Sequence, residues 1–344
     1  RGFMKAVSYW LGVGLVMACF ASPSQAGPYS ETPESRDFVR EMSERYGFEA
    51  ERVSAILANA QRRDSILEAI SRPAEKTLEW YEYRQIFMRE ARIEQGVNFL
   101  EQHQEAFERA EREYGVPASI VAAIIGVETW YGTYKGKYRV LDALATLAFD
   151  YPPRSRFFRS ELVQYFLMTR EQGFDPMELT GSYAGAMGYG QFISSSYRHY
   201  ALDFDGDGVA DILANPVDAI GSVANYFHAH RWQTGEPVAE RVSDSLPKSS
   251  PLLTRELRPT LTVNDYRQAG IVPKMDVPGD AKARVIRLVG DKSSELWLTY
   301  HNFYVITRYN HSHLYAMAVH QLAGALEERM RPLANENNGE SNSS

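Results

Sequence analysis

Ile120-Val-Ala-Ala-Ile-Ile-Gly-Val-Glu-Thr-Trp130 holds one charge, the carboxylate of Glu128, in a stretch that otherwise reads as an apolar helix. Pro117 and Gly132 supply its start and stop signals. The i, i+4, i+7 spacing puts Val121, Ile125 and Glu128 on one face. A carboxyl on an apolar face is poorly solvated when ionised, so it keeps its proton toward neutrality and suits the general acid of glycosidic cleavage. The competing reading is an acid paired with an arginine or capping a neighbouring helix, because long charged side chains are rarely buried unpaired. Trp130, Tyr131 and Tyr134 follow within two turns and favour a sugar site, where aromatic faces stack on pyranose rings.

Outward from this helix, apolar residues recur at helical spacing from Phe38 to Tyr46, Val53 to Ala60 and Tyr83 to Tyr114, then from Ser160 to Glu171, Pro216 to His230 and His313 to Met330. Strand-favouring residues cluster at 260–263, 283–289 and 296–300 between Gly, Pro and Asp turns. The predicted class is mainly α, an α+β chain with a small β-rich domain. Residues 1–26 read as an export signal and 27–37 as a lead-in. A helical domain spans 38–114, the catalytic core 115–245 and the β-rich domain 246–307, entered by a linker at 247–251. A return segment and last helix occupy 308–331, and 332–344 is a polar tail without periodicity, expected to be disordered.

The 344 residues, 44% hydrophobic and 24% charged, have ordinary globular composition. A net charge of -7 with scattered basic residues offers no face to a phosphate backbone, which argues against nucleic acid as a partner. Ala6 to Ala21 is uncharged and mostly apolar, follows Lys5 and runs into Ser-Pro-Ser-Gln-Ala at 22–26, the pattern of a cleavable secretory signal. It predicts export to the periplasm with cleavage after Ala26; the alternative is lipid attachment at Cys19, as in an outer-membrane lipoprotein. Cys19 is the only cysteine, so no disulfide forms within the chain and stability rests on core burial helped by a metal.

Three further stretches carry chemistry. Gly181-Ser-Tyr-Ala-Gly-Ala-Met-Gly-Tyr-Gly-Gln-Phe192 spaces four glycines so that its backbone approaches a ligand or another helix closely, and it lacks the Lys-Ser/Thr end of a phosphate loop. Either it packs on the Glu128 helix, or Ser182 and Gln191 bond sugar hydroxyls and acetamido groups. Asp203-Phe-Asp-Gly-Asp-Gly-Val-Ala-Asp211 sets Asp203, Asp205, Asp207 and Asp211 at positions 1, 3, 5 and 9 of a calcium loop, with Gly208 at 6 and the Val209 carbonyl at 7. Position 12 is Ala214, so Asp218 has to supply the missing carboxylate; alternatively it only complements the dipole of a helix that Asn215 caps and Pro216 opens. Five acids from Asp203 to Asp218 repel one another without a cation, and oxygen ligands favour a structural calcium. Lastly, Tyr309, Asn310 and Tyr315 offer sugar-binding faces and an amide, unless Asn310 or Ser312 caps the last helix and the tyrosines pack in the core. His228 and His230 share no helix face, which disfavours zinc hydrolysis.

Taken in order, Gly126-Val-Glu-Thr-Trp-Tyr-Gly132, Gly185-Ala-Met-Gly-Tyr-Gly-Gln-Phe192, the Asp203 loop followed by Asp218-Ala-Ile-Gly-Ser-Val-Ala-Asn-Tyr-Phe227, and Arg308-Tyr-Asn-His-Ser312 closely resemble the lytic murein transglycosylase B family, over about Phe38 to Glu328. The resemblance implies a lysozyme-like helical core flanked by a helical domain and a small β domain, with a calcium loop held by Asp203, Asp205, Asp207, Val209 and Asp218. It puts Glu128 at the catalytic position and Tyr83, Arg154, Ser182, Gln191, Tyr226, Tyr309, Asn310 and Tyr315 along the glycan groove. The chain departs from the family where Pro153-Arg154 replaces a common pair of arginines, and its calcium loop is one residue longer before Asp218. The implied reaction cleaves peptidoglycan between N-acetylmuramic acid and N-acetylglucosamine. Glu128 acts as acid and then base, and the muramoyl C6 hydroxyl closes a 1,6-anhydro ring. The resemblance further implies a monomer without organic cofactor that works on glycan strands, with cell-wall synthases as further partners. A hydrolytic muramidase on the same fold needs a second acid, for which Glu161, Asp150 and Glu171 are available; a glycan-binding protein needs none.

Overall fold

A computed structural model describes residues 27–72, 78–243 and 246–331; the export signal with Cys19 and the tail from 332 lie outside them. The described helices are α1 (Pro33–Tyr46), α2 (Ala50–Asn59), α3 (Asp64–Ile70), α4 (Trp80–Phe87), α5 (Glu90–Gln102), α6 (Gln104–Tyr114), α7 (Ala118–Thr129), α8 (Val140–Asp150), α9 (Ser155–Gln172), α10 (Ser194–Tyr200), α11 (Pro216–Ala229), α12 (Val263–Gln268), α13 (His301–Tyr309) and α14 (His313–Met330). The strands are β1 (Tyr138–Arg139), β2 (Thr180–Gly181), β3 (Ala239–Val242), β4 (Leu261–Thr262), β5 (Lys282–Val289) and β6 (Ser294–Thr299). The mainly α class with a small β part is as expected.

Every residue of α7 from Ser119 to Gly126 is buried. A helix apolar on all sides has to be surrounded, and α7 packs against α5, α6, α11 and α14. Helix α8 is buried in the same way and lies along α9. Asn215 caps α11 by accepting the Val217 N–H at 3.0 Å, with Pro216 opening the helix as its sequence predicts. Ser312, rather than Asn310, caps α14 by accepting the Tyr315 N–H at 3.3 Å. None of the described helices is long and apolar enough to cross a membrane.

Strands β3, β6, β5 and β4 form an antiparallel sheet in that order. The two-residue period of β5 divides its burial between two cores. Ala283 and Val285 join Leu296, Leu298 and Tyr266 in a small core, whereas Ile286 and Leu288 enter the large helical one. The sheet is thereby fastened to the helices. It ends at Thr299: residues 301–307, grouped with the strands by composition, form α13 and send Phe303, Val305 and Ile306 into the large core. The span 83–114 breaks after Phe87 and again at His103, giving three helices.

Candidate active site

Glu128 is the penultimate residue of α7, and the chain leaves that helix under strain. Trp130 and Tyr131 have φ of 50° and 55°, the left-handed region. Their N–H groups close the helix on the carbonyls of Gly126 (3.1 Å) and Ile125 (3.2 Å). The ring of Tyr131 then folds back over Gly126, where a Cβ would stand 2.6 Å from it, so only glycine fits. Thr129 ties this turn to the glycine-rich loop: its buried hydroxyl lies 2.8 Å from the Tyr189 carbonyl and accepts the Gly132 N–H at 2.9 Å. In that loop Gln191 is also left-handed, at φ 52°, and its amide donates to the carbonyls of Gly188 (2.9 Å) and Lys135 (3.2 Å). Of the four left-handed non-glycine residues among those described, two directly follow the Glu128–Thr129 helix end and a third, Gln191, stands in the loop that Thr129 ties to it. Such conformations cost about 1–3 kcal/mol each and concentrate where function fixes geometry.

Tyr315 donates its hydroxyl to Oε1 of Glu128 at 2.5 Å. Its ring stacks on Tyr309 with centroids 6.5 Å apart and planes 9° from parallel, and Tyr309 donates to the Gly190 carbonyl. Burial holds both phenols well above their ordinary range, and the neighbouring Glu128 charge adds to the effect. Both therefore remain protonated donors. Tyr83, buried on α4, is near enough to raise Tyr315 further. Tyr226 meets the Tyr309 ring edge-on at 4.8 Å and donates its hydroxyl to the Arg308 carbonyl at 2.7 Å.

A cleft of about 390 Å³ opens beside this cluster, lined among others by Arg154, Phe157, Gln191, Tyr226, Arg308 and Tyr309. None of its described lining residues is acidic. A cleft of similar size, about 420 Å³, lies between α2 and the end of α9, with no member of the Glu128 cluster in its lining; volume alone does not choose the site.

The structure therefore brings Glu128, Tyr83, Tyr309 and Tyr315 together and sets Arg154, Gln191 and Tyr226 along the adjoining cleft. Ser182 turns to its own loop, where its Oγ accepts the N–H groups of Ala184 (3.2 Å) and Ala186 (3.1 Å). Asn310 ends α13, and its carbonyl accepts the Ser312 N–H at 2.7 Å. Of the aromatics after Glu128, Tyr131 belongs to the core, Trp130 is half-buried beneath Arg92 at 4.2 Å, and Tyr134 stands 69% exposed. Arg308 and Phe157 also line the cleft, and the sequence alone assigns neither of them a role. Arg308 at least opens a quoted motif, whereas Phe157 carries no signal of its own. The three acids available for a second catalytic role are engaged elsewhere. Glu161 accepts the Ser195 N–H at 3.0 Å, Asp150 is bonded by Tyr29 and Arg62, and Glu171 pairs with Arg198 at 2.6 Å.

In the acidic loop, carboxylate oxygens of Asp203, Asp205 and Asp218 lie within 4.8 Å of one another. Asp218, wholly buried at the start of α11, accepts N–H groups from Phe204 (2.7 Å), Asp205 (3.3 Å) and Asp211 (2.8 Å). Burial raises its carboxyl while those bonds oppose the rise. Asp203 accepts from Gly206, Asp207 and Gly208, and the two glycines take φ of 81° and 100°. Asp207 turns to the Val209 N–H at 2.9 Å and stands outside the gathered trio. Hard oxygen donors at this spacing fit a calcium ion.

The family model of the transglycosylase SLT domain matches residues 30–324. Membrane-bound lytic murein transglycosylase B of Escherichia coli K12 is 41% identical over 309 residues, 87% of this chain and 84% of that protein. Catenated lytic transglycosylase SltB1 from Pseudomonas aeruginosa matches with a TM-score of 0.84 and 51% identity, over 88% of this chain and 99% of that one. The Escherichia coli lytic transglycosylase Slt35 in complex with calcium matches at 0.82 and 41% identity, over 89% and 96%. The lysozyme-like helical fold implied by the motifs is the fold of these enzymes.

Proposed function

Because the chain belongs to the transglycosylase SLT family and is an enzyme acting on peptidoglycan, we propose that it cleaves the β-1,4 bond between N-acetylmuramic acid and N-acetylglucosamine without consuming water. Glu128 first gives its proton to the linking oxygen as that C–O bond breaks. Its carboxylate then takes the proton of the muramoyl C6 hydroxyl, whose oxygen bonds to C1 and leaves a 1,6-anhydromuramoyl end. Tyr315, bonded to Glu128, steadies the carboxylate between its two roles. Tyr83 and Tyr309 wall the reacting centre, Gln191 and Tyr226 extend the groove, Ser182 and Asn310 shape its rim, and Arg154 and Arg308 set positive charge beside an anionic strand.

The observation that carries this reading is the setting of Glu128, bonded by Tyr315 at the end of a buried helix and beside a cleft whose described lining is free of acids. Ordinary glycosidases need a second carboxylate about 5–10 Å away across the sugar. Here the described cleft lining holds no acid, and the three candidates are engaged elsewhere. A nucleophile built into the substrate removes the need.

Calcium, in this reading, is structural: Asp203, Asp205 and Asp218, with Asp207 and the Val209 carbonyl, hold it in the turn between α10 and α11. There it neutralises clustered acids and takes no part in bond cleavage. The export segment agrees with work on the periplasmic cell wall.

Digestion of purified sacculi tests the reaction. The expected products end in 1,6-anhydromuramic acid, one water lighter than reducing-end products. Glu128→Gln should cut turnover at least about a hundredfold while glycan binding persists. Reducing-end products would reassign the enzyme as a hydrolase, and undiminished activity of the variant would remove Glu128 from its role.

A further inference from the structure

Arg284 is a buried cation with no anion beside it among the described residues. It sits in β5, 5% exposed, and its only described side-chain hydrogen bond runs from Nη2 to the Thr254 carbonyl at 3.0 Å. Nε and Nη1 have no partner. Holding a guanidinium out of water without a partner is costly, and arginine cannot escape by losing its proton. The alternation of β5 puts Arg284 on the face of Ile286 and Leu288, toward the helices. There it approaches His313, the first residue of α14.

These two residues, with Arg255 and Arg287, line an open pocket of about 280 Å³ whose wall includes Val285 and Ile286. None of its described lining residues is acidic. Burial, and then the Arg284 charge, push the His313 imidazole down to about 4, so near neutrality it adds a hydrogen-bonding group and no further charge. Arg287 is engaged with the Leu246 carbonyl, which leaves the Arg255 and Arg284 guanidinium groups beside the cavity to match a planar carboxylate, which arginine holds through paired N–H···O bonds.

We propose that this pocket binds a carboxylate of the peptide stem that hangs from the muramoyl lactyl group while the strand occupies the active site. This rests on the reaction proposed above. Its geometric basis is α14: His313 enters the pocket, and Tyr315, two residues on, bonds Glu128. Two helical steps turn the chain by about 200°, so the pocket and the catalytic carboxyl lie on opposite sides of one helix end. An extended stem advances about 3.3–3.6 Å per residue, so three or four residues cover about 10–14 Å, enough to cross the end of a helix about 10–12 Å wide. A strand bearing stems would then be anchored on both sides of α14.

The test titrates the intact protein calorimetrically with three probes: the stem tetrapeptide L-Ala-γ-D-Glu-meso-diaminopimelate-D-Ala, the same peptide with its carboxylates amidated, and inorganic phosphate. The free acid should bind at least tenfold more tightly than the amide. Arg284→Met should erase that difference, and so should Arg255→Ala, whose exposed position leaves folding untouched. Phosphate that binds as tightly as the acid and displaces it would overturn the stem assignment in favour of a free anion; equal affinity of acid and amide would overturn the pocket. Kinetics separate binding from scaffolding. On stem-bearing sacculi Arg284→Met should raise KM about tenfold with kcat unchanged, whereas on strands stripped of stems by an amidase it should match the wild type. Equal losses on both substrates would make Arg284 structural and end the proposal. Stem binding that needs Arg284 in a protein releasing no anhydro product would support the pocket while refuting the reaction.

Discussion

Replacing Tyr315 with Phe removes one oxygen and leaves the ring that stacks on Tyr309, so it isolates the hydrogen bond to Glu128. At 2.5 Å this is a phenol donating to a carboxylate, and hydrogen bonds to charged groups are worth about 1.5–3 kcal/mol. The sign follows from where the charge is. As Glu128 gives its proton to the leaving oxygen it becomes anionic, so the bond strengthens toward the transition state. Its loss should lower kcat by about 10- to 150-fold, the rate equivalent of that energy. The same bond favours the ionised form of Glu128 over the protonated one, so without it the alkaline limb of the kcat/KM profile should move to higher pH. Tyr315 itself does not titrate there, because burial and the Glu128 charge hold its hydroxyl far above its usual range. The assay is release of anhydromuropeptides from sacculi, followed by chromatography across the pH range in which the fold persists. An unchanged kcat, or an alkaline limb that stays put or moves down in a variant of native melting temperature, would refute the role given to Tyr315.

Removing calcium should lower the melting temperature. A site at a hundredfold excess of ion over Kd contributes about 2.7 kcal/mol, and Asp203→Asn should abolish the dependence on added calcium; melting indifferent to chelator would remove the ion from the structure. Acid should weaken the fold through His320, which burial against Trp297 pushes down to about 4. The unfolded chain takes up that proton below about pH 6.5, so the group's contribution is intact above that value and declines as pH falls toward about 4, by up to about 3 kcal/mol. His320→Phe should flatten the decline in denaturant midpoint over that window, and an identical slope in the variant would count against a neutral imidazole at this half-buried position.

Glu128 was legible because its chemistry contradicts its surroundings, a lone carboxylate in a helix with no polar face. The acidic loop was legible because its spacing is a ligand pattern. Contacts that join distant segments were not. The Tyr315–Glu128 bond spans 187 positions, and no local period relates its two ends. Adjacent aromatics also defeat periodicity: Trp130 and Tyr131 part company because two successive left-handed residues, not helical spacing, aim them. In α13, His301-Asn-Phe-Tyr-Val-Ile-Thr-Arg-Tyr309 is rich in strand formers, yet packing into the large core overrides that preference.

Contradiction between a residue and its setting is the signal that survives at long range, and it applies to Arg284 as it does to Glu128. Ala283-Arg-Val-Ile-Arg-Leu-Val289 has the local composition of an ordinary strand, and nothing in it says that Arg284 is covered. A strand covered on both faces, however, carries a near-continuous apolar run, and residues 283–286 are all buried. An arginine inside such a run has to reach solvent or meet an anion. Packing of the sheet against the helices denies Arg284 the first, and the described residues offer it no acid for the second. The same contradiction that makes Glu128 an acid in search of a sugar oxygen makes Arg284 a cation in search of a carboxylate, and the peptidoglycan strand carries both.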